Sequence, residues 1–319
     1  MYNFYDNKEI KKLNSLKKTK VIIYDHSSFL YWIYCKIYKF NRTPYPSYKK
    51  SKYIISLIPL ENDYLFKKWG INSILMDNPT TFEYDFVVPS DLSSKNIIMI
   101  GRIESTLKRF NLGIKAMKSI IKEIPDCEME IISSNENNKY RNLIRKLKLE
   151  NNVRVTGYEK NVELYLKNAS LHILPSISEC YPMVLSETKI FGIPSIICGL
   201  DFLSLAKGGT VIIYDDNPDT IAREAIKILK NETYRKLLGK EARKSIIKKK
   251  NKLIAKKWVK LLLSVYKGDD VSYTNLNSHN VMNEEEANQI LNNQLFLLKK
   301  RNHRFNKLSL EKLKSYSLS

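Results

Sequence analysis

Two carboxylates eight positions apart, Glu179 and Glu187, sit in the stretch Pro175-Ser-Ile-Ser-Glu179-Cys-Tyr-Pro-Met-Val-Leu-Ser-Glu187. A carboxylate accepts paired hydrogen bonds from the hydroxyls of a sugar or a ribose. Between the two, Pro182 stands where a helix begins, and the free amides of Met183 and Val184 at that helix start suit a phosphate. These types at this spacing describe an anion site with a polyol beside it. A lone pair of glutamates so spaced is more often a solvated helix face, so the reading depends on the elements around it.

The apolar run Ser170-Leu-His-Ile-Leu174 predicts a buried parallel strand that stops at Pro175-Ser176. Glu179 then lies on the loop at its carboxyl end, where ligands of open α/β sheets sit. A helix is predicted from Met183 to Phe191, closed by Gly192-Ile-Pro194, with Glu187 more than one turn inside it. Ser195–Cys198 reads as the next strand, and His172 as a core histidine. Around this unit strands alternate with helices. Strands are predicted at Val21–Tyr24, Tyr53–Leu57, Ser73–Met76, Asn96–Ile100, Glu128–Ser133, Val153–Thr156 and Thr210–Tyr214. Helices are predicted at Asn62–Trp69, about Phe110–Glu123, Tyr140–Leu147, Val162–Asn168 and Pro218–Lys230, with one or two more over 231–267. An aromatic helix is expected over 29–40, capped by Ser27 or Ser28; core packing is favoured for it over a membrane surface. Such alternation with short connections means parallel sheets with crossover helices. Asp77-Asn78-Pro79 opens a linker through Asp91. Three parts follow: 1–89, a partial N-terminal domain with its hinge; 90–267, a second domain; and 268–319, a polar basic tail. In that tail 268–283 is expected to be unstructured and 284–315 helical, without a strong apolar stripe.

The central stretch resembles the E-x7-E signature of retaining glycosyltransferases of family 4. Pro175, Ser176, Glu179, Tyr181, Pro182, Val184, Glu187, Gly192, Pro194 and Ile196 stand in the family's places. Cys180 departs from the usual glycine and Thr188 from the usual alanine, so Cys180 puts a side chain where backbone normally approaches the donor. Gly101-Arg102 with Lys108 resembles the family's second signature, in which the two cations grip the donor diphosphate. Two cations at a strand end can neutralise a departing nucleoside diphosphate, although alone such a pair is more often solvated. The resemblance covers roughly 21–265. It implies an α/β fold of GT-B type, two Rossmann-like parallel-sheet domains, the N-terminal one incomplete because three strands precede the hinge.

It further implies a nucleotide-diphosphate sugar as donor, with no separate cofactor and no metal. Tyr158, in the Gly157-Tyr158 turn, would lie by the base, and Cys180, Tyr181, Met183 and Val184 by the donor. Glu187 would hold the ribose hydroxyls and Glu179 the donor sugar. His26, in Asp25-His26-Ser27, would lie near the reaction centre, so the catalytic pair implied is His26 and Glu179. Ser133-Ser134 replaces a frequent Gly-rich turn. The implied reaction moves a hexose to a hydroxyl of a glycan or lipid-linked acceptor with retention of configuration. The alternative is a nucleotide-sugar-binding fragment or subunit without turnover.

Composition sets wider limits. The chain has 319 residues and a formal charge of +21. A basic surface attracts phosphates of any kind, and solvated lysine faces account for it equally well. No nucleic-acid motif is present and no nucleic-acid partner is expected, while peripheral contact with an anionic membrane stays open. No run of about 18 apolar residues exists, and Met1-Tyr-Asn-Phe-Tyr-Asp lacks the pattern of a signal peptide. Cys35, Cys127, Cys180 and Cys198 are scattered, and there is no H-E-x-x-H or D-x-D. A reducing, cytoplasmic setting fits, with the cytoplasmic face of a membrane as the alternative address.

Overall fold

A computed structural model describes residues 20–26, 48–49, 51–102, 106–133, 138–269 and 282–301, together with Lys12 and Ser15. The aromatic helix expected over 29–40, its caps Ser27 and Ser28, Cys35 and the turn residue Ser134 lie outside the described residues. So does most of the stretch expected to be unstructured.

Two parallel sheets form. The first has the order β1-β2-β3, from Ile22–Tyr24 (β1), Tyr53–Ser56 (β2) and Ile74–Leu75 (β3). Helix α1, Pro59–Trp69, connects β2 to β3. It starts three residues earlier than expected because Pro59 occupies the first helical position, where its missing N–H costs nothing. It stops at Gly70, whose φ of 63° is the left-handed conformation that glycine adopts freely.

The second sheet is larger. Its strands are β4 (Asn96–Ile100), β5 (Glu128–Ile132), β6 (Val153–Thr156), β7 (Leu171–Leu174), β8 (Ser195–Cys198) and β9 (Thr210–Ile213). The order is β6-β5-β4-β7-β8-β9, all parallel, with Ile97 paired to Met129 on one side and to Leu171 on the other. Strand order reverses between β4 and β7, and such a switch point opens a crevice at the carboxyl ends. The crossover helices are α2 (Phe110–Glu123), α3 (Asn138–Leu147), α4 (Val162–Asn168), α5 (Met183–Ile190) and α6 (Pro218–Lys230). Alternate strand residues point to opposite faces. Ile97, Met99, Ile131, Ile173 and Ile196 pack under α2, α3 and α6, while Ile98, Ile132, Leu174 and Ile197 face α4 and α5. Burial on both faces explains why these strands read as unbroken apolar runs.

Helix α7 (Glu232–Ile246) closes the second unit. After a 3-10 turn at Ile247–Lys249, helix α8 (Asn251–Lys267) returns to the first sheet. There Leu261 and Val265 pack with Tyr53, Ile55, Ile74 and Met76, and Trp258 meets the Tyr24 ring edge-on at 5.3 Å.

The tail differs from expectation. Helix α9, Glu284–Arg301, buries Ala287, Ile290, Leu291, Gln294, Leu295 and Leu297. These positions form one stripe at helical spacing. Gln294 in its middle dilutes the apolar signal. That side chain is buried because it donates to the Gly199 carbonyl at 2.6 Å and to the Asp201 carboxylate. Among the described residues no helix is long and apolar enough to cross a membrane.

Candidate functional site

The site lies at the crevice between β4 and β7. Pro175 ends β7, and the loop to Pro182 carries Glu179. Lys108 ends a 3-10 turn, Thr106–Lys108, after β4. Its ammonium pairs with Glu179 Oε1 at 2.6 Å, both side chains largely shielded at 18% and 12% exposure. The Lys108 stem lies over Gly101, where an added Cβ would sit 3.4 Å from Lys108 Cε. The loop is tied to this turn by the Ile177 amide donating to the Leu107 carbonyl at 2.8 Å.

Helix α5 has no side-chain cap, and Pro182 precedes it in extended conformation. The Leu185 and Ser186 amides turn to the Pro182 carbonyl, so those of Met183 and Val184 point out of the first turn. One turn on, Glu187 Oε1 accepts from the Thr81 hydroxyl of the linker at 2.8 Å. Burial pushes the Glu187 carboxyl up, and the Thr81 bond partly offsets this.

Arg109 stands between Lys108 and α2 in the left-handed conformation, φ 49°. Its Nε donates to the Pro175 carbonyl at 2.7 Å and its guanidinium pairs with Asp216 at 2.8 Å. Asp216 is itself at φ 53°. Two left-handed non-glycine residues cost about 1–3 kcal/mol each and persist where surrounding contacts over-determine them. Burial alone would raise the Asp216 carboxyl, but Arg301 and then Arg109 hold it well below the usual carboxylate range.

The first sheet supplies the opposite wall. Cys180 Sγ lies 4.0 Å from the Asp25 carbonyl, just past β1. Burial, then Glu61, Asp25 and Glu179, push its thiol far up, so it stays protonated. Tyr181 is buried near Asp77, and its phenol is likewise raised by burial first. The Tyr24 hydroxyl donates to Asn78 and is pushed up to about 12, chiefly by burial. His26 is exposed, its ring 4.2 Å from that of Tyr24. Arg102 is exposed at the end of β4, and Tyr158, at 73% exposure, stands past β6. The fold thus joins Lys108 to Glu179 and brings Cys180 against Asp25. Among the described residues Arg102, Tyr158 and His26 make no hydrogen bond or ion pair with them. His172 is buried, its Nδ1 3.1 Å from the Ser195 hydroxyl, and burial, then Lys108 and Lys189, pull it down to about 3.

Sequence reasoning missed Glu61, on the first turn of α1 at the carboxyl edge of the first sheet. Pro59 was the signal that could have placed it there. Glu61 is 1% exposed and neither carboxylate oxygen makes a hydrogen bond; the neighbouring Ser56 hydroxyl gives its proton to the Ile58 carbonyl. Burial first, and Asp25 second, raise its carboxyl well above the usual range. The folded chain therefore keeps a proton that the unfolded chain releases near pH 4–5, and stability falls as pH rises from there towards the raised folded-state value. Glu61→Gln is expected to raise the melting point at pH 8, because the amide has no proton to lose. The difference should vanish at pH 4. A thermal scan of both proteins at the two pH values measures it; an unchanged melting point at pH 8 contradicts the assignment.

Also missed was Lys189, 1% exposed on α5. Its ammonium donates to the carbonyls of Lys207 (3.0 Å) and Gly208 and to Thr210 Oγ1 at 3.1 Å. Burial, then the Lys249 charge, pull it down to about 7. Among the described residues no three or more His, Cys, Asp and Glu side chains gather to hold a metal ion.

A family model described as "Glycosyl transferases group 1" matches residues 81–245, just over half of the chain. An uncharacterized glycosyltransferase of Haemophilus influenzae is 28% identical over 149 residues, 45% of this chain and 40% of that protein. The poly(glycerol-phosphate) alpha-glucosyltransferase of Bacillus subtilis is 28% identical over 162 residues, 49% of this chain and 24% of that one. The chain thus spans less than half the length of these curated relatives. A solved structure of S. aureus TarM, in complex with Fondaparinux, alpha-GlcNAc-glycerol and UDP, superposes with a TM-score of 0.60 at 20% identity. That superposition covers 68% of this chain and 45% of TarM, and it shows the shared GT-B fold. The match over 81–245 contains both the Lys108 turn and the Glu179 loop, and the chain belongs to the group 1 glycosyltransferases.

Proposed function

We propose that the chain transfers a hexose from a nucleotide-diphosphate sugar to a hydroxyl of a glycan or lipid-linked acceptor, with retention at the anomeric carbon. The observation that carries this reading is the Lys108–Glu179 pair at the switch point, beside the α5 N-terminus. A diphosphate brought there takes the Lys108 ammonium and the Met183 and Val184 amides, with Arg102 added from the strand end. Glu179, released from Lys108, accepts from hydroxyls of the donor sugar. Glu187 already accepts from a hydroxyl, that of Thr81, and the ribose hydroxyls offer it the same chemistry. Tyr158 lies by the base, Cys180 and Tyr181 line the sugar side, and His26 approaches the reaction centre.

No carboxylate stands assigned as a nucleophile, so the reading is front-face attack. The bond from the anomeric carbon to the diphosphate oxygen breaks as the acceptor oxygen bonds on the same face. The acceptor proton passes to the leaving diphosphate. The UDP named in the TarM complex favours uridine as the nucleoside.

Calorimetric titration with UDP-, GDP- and ADP-sugars tests the reading, repeated with Arg102→Ala and Glu187→Ala. Binding of one nucleotide class, weakened in both variants, is the expected result. No binding across the panel removes the donor site from this chain.

A further inference from the structure

Helix α9 lies beyond the matched family segment, which ends at residue 245. It runs from the first sheet's helix to the ligand edge of the second sheet. At its start the Met282 amide donates to Asp63 at 3.1 Å and Glu284 pairs with Lys67 at 3.3 Å, both on α1. At its end Arg301, 10% exposed, places its guanidinium among the carboxyl ends of β7, β8 and β9.

The Arg301 contacts are specific. Nε and one terminal nitrogen grip Asp216 at 2.6 and 2.7 Å. The other terminal nitrogen donates to the Ile177 carbonyl at 3.2 Å, and the first also reaches the Cys198 carbonyl at 3.3 Å. Asp216 is shared with Arg109, whose Nε holds the Pro175 carbonyl. Two guanidiniums bracketing one carboxylate therefore hold alternate carbonyls, Pro175 and Ile177, of the loop that carries Glu179. Planar bidentate contacts of this kind fix direction as well as distance.

We propose that Arg301, delivered by α9, is a positioning residue for the donor loop, setting Pro175–Glu179 so that Glu179 and Lys108 meet the donor together. The proposal rests on the donor reading given above. The helix itself is seated by five buried apolar side chains, Ala287, Ile290, Leu291, Leu295 and Leu297, so losing one guanidinium leaves it docked.

The test compares Arg301→Ala and Arg301→Lys with the full chain, by UDP-sugar titration and thermal melting. The expected result is about 10- to 100-fold weaker binding for Arg301→Ala, the range of one charge-assisted contact, with a lowered but still cooperative melt. Arg301→Lys should recover part of it. Combined with Lys108→Ala, the Arg301→Ala loss should no longer multiply, because both act on one contact. Unchanged affinity in Arg301→Ala, or full multiplication in the double variant, overturns the proposal. If the unaltered chain binds no donor, the donor reading fails separately. Loop positioning is then judged by amide exchange at Ile177, whose N–H donates to Leu107. Faster exchange in Arg301→Ala upholds it, and unchanged exchange overturns it.

Discussion

On the proposed donor reading, Lys108→Ala is expected to lower kcat/KM for glycosyl transfer by about 10²–10³-fold, the usual loss when one donor to a developing oxyanion is removed. The charge on the leaving diphosphate grows as the anomeric bond breaks, so a cation beside it acts more strongly on the transition state than on the bound donor. Lys108 is largely shielded, and its present counter-charge is Glu179 at 2.6 Å. Removing it also strands that carboxylate at 12% exposure, so donor binding and chemistry should both suffer. Lys108→Arg restores the charge but not the compact ammonium geometry, and partial recovery is expected. Steady-state kinetics with a UDP-sugar, run beside thermal melting, separates lost catalysis from lost folding. A Lys108→Ala protein that melts normally and keeps its full kcat/KM would sink the diphosphate assignment.

Gly209→Ala should produce the largest loss of stability. A Cβ at Gly209 would sit 2.2 Å from the Leu238 carbonyl oxygen, 2.5 Å from Ala242 Cβ and 2.6 Å from its amide nitrogen. Two of these are backbone atoms of α7 and cannot swing aside. Gly209 also has φ 64°, which an alanine adopts only under strain. Overpacking and strain together give roughly 2–5 kcal/mol. The melting point should fall by roughly 5–15 °C. The damage would reach the site, because Gly209 accepts from the Ser195 amide and its neighbour Gly208 accepts from Lys189 on α5. A melting point within 2 °C of the unaltered chain, as a rough threshold, argues that α7 can shift away.

The second sheet was legible almost residue by residue. The bounds expected for Asn96–Ile100, Val153–Thr156, Val162–Asn168 and Ser195–Cys198 are those observed. Strands buried on both faces leave an apolar run between punctuating Gly, Pro and Asn, and that signal is local. The ends of α1 and the face of α9 were read less well, for different reasons. Pro59 was passed over as a helix start, and with it Glu61. In α9 a buried Gln and its Asn neighbours hid a stripe that only the partner loop explains. The site divides in the same way. Glu179 and Glu187 share one short stretch and were visible together, whereas Lys108 meets Glu179 across 71 positions and was found only through the family pattern. The Arg109–Asp216–Arg301 cluster has no local signature, since its members join across 107 and 85 positions. Charge alone could not select them from 54 lysines and arginines.

The chain passes between its two sheets more than once, and two of those passages lie side by side. Asp77 pairs with Lys249 and Asp85 with Lys250, while Asn251 accepts from the Thr80 amide at 2.8 Å and donates to its carbonyl at 2.9 Å. A single connecting strand would be a swivel, free to twist as well as bend. Two segments laced along their length form the spine of a book. Torsion between the sheets would strain these ion pairs and hydrogen bonds, so the lacing resists twisting. Thr81 lies on that spine and its hydroxyl donates to Glu187 at 2.8 Å, so the same lacing fixes the register of the site carboxylate.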